Sequence, residues 1–184
     1  VSATWVPSSM SFYLLGGASV AWLLGPLSDR LGRKKVLLAG VAFFTICCLL
    51  ILLTHNIQQF LTLRFLQGIG LSVISAVGYA AIQETFEERD AIKVMALMAN
   101  ISLLAPLLGP VLGAFLIDYV SWHWGFVAIA FISFLSWFGL NKFMPASQES
   151  RKQAKQPFRY IWDDFKQVFS NRQFLGLSVA LPIV

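Results

Sequence analysis

Residues 25–35 read Gly25-Pro26-Leu27-Ser28-Asp29-Arg30-Leu31-Gly32-Arg33-Lys34-Lys35, and the stretch lies between two long uncharged runs. No charge occurs from Val1 to Ser28, and no Lys, Arg, Asp or Glu occurs from Val36 to Leu63. A short basic segment with glycines, set between two apolar segments of membrane length, is a tight loop on the cytoplasmic face of a bilayer.

Composition widens that reading to the whole chain. Hydrophobic residues make up 57% and charged residues 12%, with a mean hydropathy of +0.70. Soluble domains average about 25% charged residues, so lipid must solvate much of this surface. The net charge of +5 is not the signature of a nucleic-acid partner, because the basic residues cluster in short loops between spans. Cys47 and Cys48 are adjacent inside an apolar run and read as small core residues, not as a disulfide or a metal site.

Crossing a bilayer takes about 20 apolar residues. Segments 7–27, 36–54, 58–84, 92–117 and 123–143 qualify, and an uncharged stretch from Gln173 begins another. All are expected to be helices, since lipid offers no partner to unpaired backbone groups. Thirteen of the fourteen Lys and Arg fall within 29–35, 89–93 and 142–172. The alternate connections, 54–58 and 118–122, have none. The asymmetry places Val1 outside and residues 29–35, 85–91 and 144–172 inside. The chain lacks an initial Met and stops at Val184 within its last apolar stretch. It reads as an internal part of a larger membrane protein, and no secretory signal is recognised in it.

Residues 144–172 form the one long connection. Pro145 and the polar residues after it break the preceding helix, and Arg151, Lys152, Lys155 and Arg159 make a basic run. Phe158, Ile161, Trp162, Phe165, Val168 and Phe169 recur at helical spacing. An amphipathic helix on the inner membrane face fits best, and a partner-binding helix is the alternative.

The fourteenth basic residue, Arg64, lies about two turns inside its span. A guanidinium in lipid keeps its proton and needs an acceptor or water, and intramembrane charge by default marks a pathway. The competing reading is a side chain snorkelling to the outer headgroups. Asp29 adds nothing to orientation. It can pair with Arg33 at i+4, or cap a helix N-terminus brought near in one conformational state. Lys34 and Lys35 read as plain inside anchors. Gly25 and Gly32 offer close approach and the turn. Pro106, Gly109, Pro110 and Gly113 bend a lipid-embedded helix and let a neighbour approach. Glu84 closes its span near the inner interface. It is either a solvated helix-end acid beside Glu87, Glu88 and Asp90, or a protonatable group facing an inner cavity. His55 and His123 read as solvated. No nucleophile–base set, phosphate loop or Cys/His cluster is present, so no cofactor or metal is expected.

The stretch 25–35 resembles the signature loop between helices 2 and 3 of the major facilitator superfamily, G-x-L-a-D-R-x-G-R-[KR]. Arg64, Gln67 and Gly68 are similar to its fourth-helix motif, R-x-x-Q-G. Pro106 to Gly113 resembles the fifth-helix antiporter motif, with Ala105 and Ala114 where glycine is usual. Gly78-Tyr-Ala-Ala-Ile-Gln-Glu84, the following Phe-Glu-Glu, and Ala96-Leu-Met-Ala-Asn100 resemble the MdfA-type multidrug/proton antiporters.

The resemblance implies an all-α membrane protein, the N-terminal half of a superfamily helical bundle. Residues 1–143 would be helices 2 to 6, 144–172 the cytoplasmic linker with its amphipathic helix, and 173–184 the start of helix 7. Helix 1 and the C-terminal half would complete it. The resemblance further implies secondary active transport by alternating access: lipophilic drugs, cationic or neutral, leave across the bacterial inner membrane in exchange for protons. Gly25, Asp29, Arg30, Gly32 and Arg33 would form the gating loop. Arg64 and Glu84 would serve proton coupling, with an acidic partner for Arg64 in helix 1. Tyr79, Met98 and Leu103 would line the substrate cavity, with plain helix packing as the alternative. A carrier importing a metabolite is the nearest rival. A membrane-embedded enzyme is a remote one, since no catalytic set gathers at one depth.

Overall fold

The computed structural model describes residues 6–119 and 122–144. Five helices follow one another: α1 (Val6–Leu31), α2 (Arg33–Ile51), α3 (Ile57–Thr85), α4 (Glu88–Tyr119) and α5 (Trp122–Phe143). Each helix falls on an expected span, and α1, α2 and α4 run several residues further at the Lys/Arg-rich end. The linker beyond Met144 and the stretch 173–184 lie outside the described residues.

The signature loop is shorter than its sequence implies. Ser28 to Leu31 stay helical, with Ser28 Oγ donating to the Gly25 carbonyl at 2.9 Å and the Gly32 N–H to the Ser28 carbonyl at 3.1 Å. The whole turn between α1 and α2 is Gly32, at φ 93° and ψ 122°. A side chain is strained at that φ, so the turn requires glycine. Asp29 and Arg30 therefore sit in the last turn of α1, and Arg33 to Lys35 in the first turn of α2.

Burial is inverted relative to a soluble protein. Leu53, Leu103, Val111 and Phe143 are largely exposed, while Ser28 and Gln67 are almost completely buried. Water would not tolerate such a surface, and lipid does. Four helices are long and apolar enough to cross a membrane, and α4 makes a fifth if its two arms count as one span. Those arms, Glu88–Ala105 and Leu107–Ala114, meet at a 43° bend. The bend falls at Pro106, which has no N–H for the helix ladder.

Small residues set how the bundle closes. At the crossing of α1 and α3, a Cβ on Gly16 would overlap the Phe65 carbonyl, and one on Gly68 would overlap the Tyr13 carbonyl. The two backbones touch because both positions lack side chains. On the other side, α2 lies between α3 and α5. Val36 and Leu37 meet Val77, with Leu140 and Met144 packed against them, and Phe44 and Cys48 meet Ala130. α4 touches α3 and α5 only sparsely. Gly25, Gly109 and Gly113 have no described atom within 4 Å of a would-be Cβ. The close approach expected at those glycines is thus not made to the described helices; Gly16 and Gly68 make it instead.

Candidate functional site

Two polar clusters stand out in this apolar bundle, one at the Lys/Arg-rich end and one within the span. At the end, Arg33 is the hub. Its Nη2 lies 2.9 Å from Asp29 Oδ1, and its Nε donates to Glu84 Oε2 at 2.5 Å. The Arg33 side chain is only 15% exposed, whereas Asp29 and Glu84 are 41% and 35% exposed. The helix turn at Gly32 puts Asp29 and Arg33 on the same side, and the C-terminal end of α3 brings Glu84. One guanidinium thus ties together the ends of α1, α2 and α3. Glu84 is a partly exposed acid at the end of α3, and it is also an ion-pair partner of the signature loop. Of the acids near it, Asp90 pairs locally with Lys93 at 2.8 Å.

Lys34 also does more than the charge pattern asks. Its Nζ donates to the Asn141 and Met144 carbonyls at 2.9 and 2.5 Å.

The second cluster centres on Arg64. Its Nη1 donates to Gln67 Oε1 at 3.1 Å, and Gln67 Nε2 donates to Cys48 Sγ at 2.9 Å. Aromatic rings from three helices surround the guanidinium carbon: Phe126 of α5 at 4.8 Å, Phe60 of α3 at 5.4 Å and Tyr13 of α1 at 6.0 Å. Each such contact is worth about 0.5–2 kcal/mol, more where water is excluded. The Arg64 head therefore lies among rings drawn from three helices. Arg64 Nε is buried and finds no acceptor among the described residues. That orphan donor points to a partner these residues do not supply.

The two clusters are separate. Arg64 and Glu84 stand twenty positions apart on continuous α3, about 30 Å at 1.5 Å per residue. The structure does not bring them together as one relay. Tyr79 and Leu103 are exposed, at 38% and 75%, and Met98 is partly exposed. A cavity of about 270 Å³ lies between α1 and α3 and is lined by Tyr13, Leu14, Gly17, Ala18, Gly68 and Ser72 among others. Gly68 thus belongs both to the helix crossing and to this cavity. Pro106, Gly109, Pro110 and Gly113 lie along the bent part of α4.

Sequence reasoning missed Lys34, Cys48 and the rings of Tyr13, Phe60 and Phe126. An aromatic cage drawn from three helices leaves no local pattern. Gly16-Gly17 was a readable sign, since adjacent glycines in a span mark a helix contact.

The sequence matches the Major Facilitator Superfamily profile over residues 2–184. It is 82% identical, over its full length, to the chloramphenicol resistance protein CraA of Acinetobacter baumannii. It is 55% identical over 98% of its length to the multidrug transporter MdfA of Yersinia pestis, and 52% identical to that of Escherichia coli. The chain spans 44% of the length of each of these relatives. On this match and this all-helical membrane architecture, the chain belongs to the major facilitator superfamily.

Proposed function

We propose that the chain forms helices 2 to 6 of the N-terminal bundle of a drug/proton antiporter in the bacterial cytoplasmic membrane. The protein would expel lipophilic drugs, cationic or neutral, by alternating access. The observation that carries the energy-coupling part is Arg64. A guanidinium costs several kcal/mol within a bilayer unless it is paired. Here one hydrogen bond and three rings hold it, and its buried Nε awaits an acceptor. A carboxylate from outside the described residues, in helix 1, would satisfy Nε when ionised and release it when protonated. The guanidinium itself stays charged, so protonation of that acid is what changes the pairing.

Chloramphenicol resistance and multidrug transport, for which these relatives are named, support a drug as cargo. The cavity between α1 and α3, about 270 Å³, lies at the low end of the range of ligand sites, and the cargo would lie against the other half of the protein, as in transporters built from two such bundles. The Asp29–Arg33–Glu84 cluster supports a gate, because it sets the orientation of the signature loop that would dock on that half.

The test uses inverted membrane vesicles carrying the full-length protein. An imposed inward-acid pH gradient should drive accumulation of radiolabelled chloramphenicol, and a protonophore should collapse it. Accumulation that ignores the gradient would overturn the antiport reading.

A further inference from the structure

We infer that Lys34 is a positioning residue that fastens the signature loop to the C-terminal end of α5, so that the loop and the chain leaving Met144 move as one body. The starting point is an electrostatic misfit. α2 opens with Arg33, Lys34 and Lys35, with no acid in its first turn and no side-chain cap. A helix N-terminus carries partial positive charge and disfavours cations. Membrane orientation explains positive charge somewhere in this loop, but not its placement on these first three helical positions.

The structure resolves the misfit residue by residue. Arg33 is paired with Asp29 and Glu84. Lys34 reaches across to α5, where its ammonium bridges the carbonyls of Asn141 and Met144. The last carbonyls of a helix have no intrahelical donor, and a cation there is favourable. The charge that burdens the start of α2 is therefore the cap at the end of α5. A second, apolar contact lies at the same place: Leu140 and Met144 pack on the Val36, Leu37 and Val77 cluster. Lys35, by contrast, is exposed and makes no polar contact among the described residues.

Arg33 and Lys34 are neighbours, so two consecutive side chains join the ends of α1, α3 and α5 to the start of α2. Any displacement of the signature loop pulls on the point where the chain leaves α5. This coupling stands on the Lys34 geometry and does not depend on the gate reading.

Hydrogen exchange on the membrane-embedded protein tests it. In Lys34→Gln, amides of residues 140–144 should exchange about two- to fivefold faster, the range that a helix-end cation gives. Lys35→Gln removes the same charge from the same loop and should leave them unchanged. Lys34→Arg keeps a donor and should keep protection. Asp29→Asn leaves the Lys34 contacts in place and should raise exchange at residues 140–144 less than Lys34→Gln does. Equal effects of Lys34→Gln and Lys35→Gln, or none from either, would overturn the inference. If Lys34→Gln fails to accumulate, Lys34→Cys can be aminoethylated in isolated membranes, because Cys47 and Cys48 are buried. Restored ammonium should restore protection, and failure to do so would equally overturn the coupling.

Discussion

Removing the charge of Glu84 should loosen the Lys/Arg-rich end of the bundle by a calculable amount. In Glu84→Gln, Arg33 keeps Asp29 at 2.9 Å but loses its partner on α3. An exposed ion pair is worth about 0–1 kcal/mol, and a hydrogen bond to a charged group about 1.5–3 kcal/mol. Arg33 is mostly covered while Glu84 is 35% exposed, so screening brings the contact to about 1 kcal/mol, or roughly fivefold in a conformational equilibrium. Arg33→Gln frees both acids at once and should reach about 2 kcal/mol, roughly thirtyfold. The double variant should match Arg33→Gln, because the pair acts as a unit. The exchange Arg33→Glu with Glu84→Arg should rescue only in part, since it sets a carboxylate four residues from Asp29. The assay is the rate at which an impermeant maleimide, applied from the cytoplasmic side, labels a cysteine introduced by Tyr79→Cys near that end of α3. Equal rates in Glu84→Gln, Arg33→Gln and the parent would refute the reasoning, leaving Arg33 as an orientation charge and Asp29 and Glu84 as solvated acids.

Gly68→Val should force α1 from α3, because even a Cβ there overlaps the Tyr13 carbonyl. Overpacking of this kind costs about 1–3 kcal/mol, and the thermal midpoint in detergent should fall, whereas Gly78→Ala, in open space, should leave it unchanged. Cysteines introduced at Gln58 and Gln153 should label from opposite sides of the membrane. Same-side labelling would contradict the charge-based orientation.

How much of this was legible in sequence follows from the range of each force. Spans and orientation depend on apolar length and loop charge, both local, and the five described helices fall where those quantities put them. The Asp29–Arg33 contact was readable because it is an i+4 pair. Its extension to Glu84, 51 residues away, was not, because it depends on where α3 ends in space. The turn itself was misjudged in size. Ser28, Asp29 and Arg30 are compatible with helix, and only Gly32 needs a positive φ, so the loop closes in one residue. Arg64 was conspicuous as a lone charge in a span. Its surroundings were hidden, since Tyr13, Phe60 and Phe126 are ordinary apolar-run residues until three helices gather them. Lys34 shows the same limit from the other side: a loop lysine next to other cations looks like an orientation signal until α5 is set beside it.

The most direct test of the central claim is proton-driven chloramphenicol uptake into inverted vesicles by the full-length protein, comparing the parent with Arg64→Ala and Arg64→Lys. Arg64→Ala removes an intramembrane charge and lowers the insertion cost by about 2.5–3.5 kcal/mol, while Arg64→Lys leaves that cost about the same, so both variants should reach the membrane in normal amount. Arg64→Ala should abolish gradient-driven uptake, and Arg64→Lys, which keeps a cation but loses the planar fork, should leave little. Normal uptake by Arg64→Ala under the imposed gradient would contradict the account, reducing Arg64 to a packed side chain among its rings.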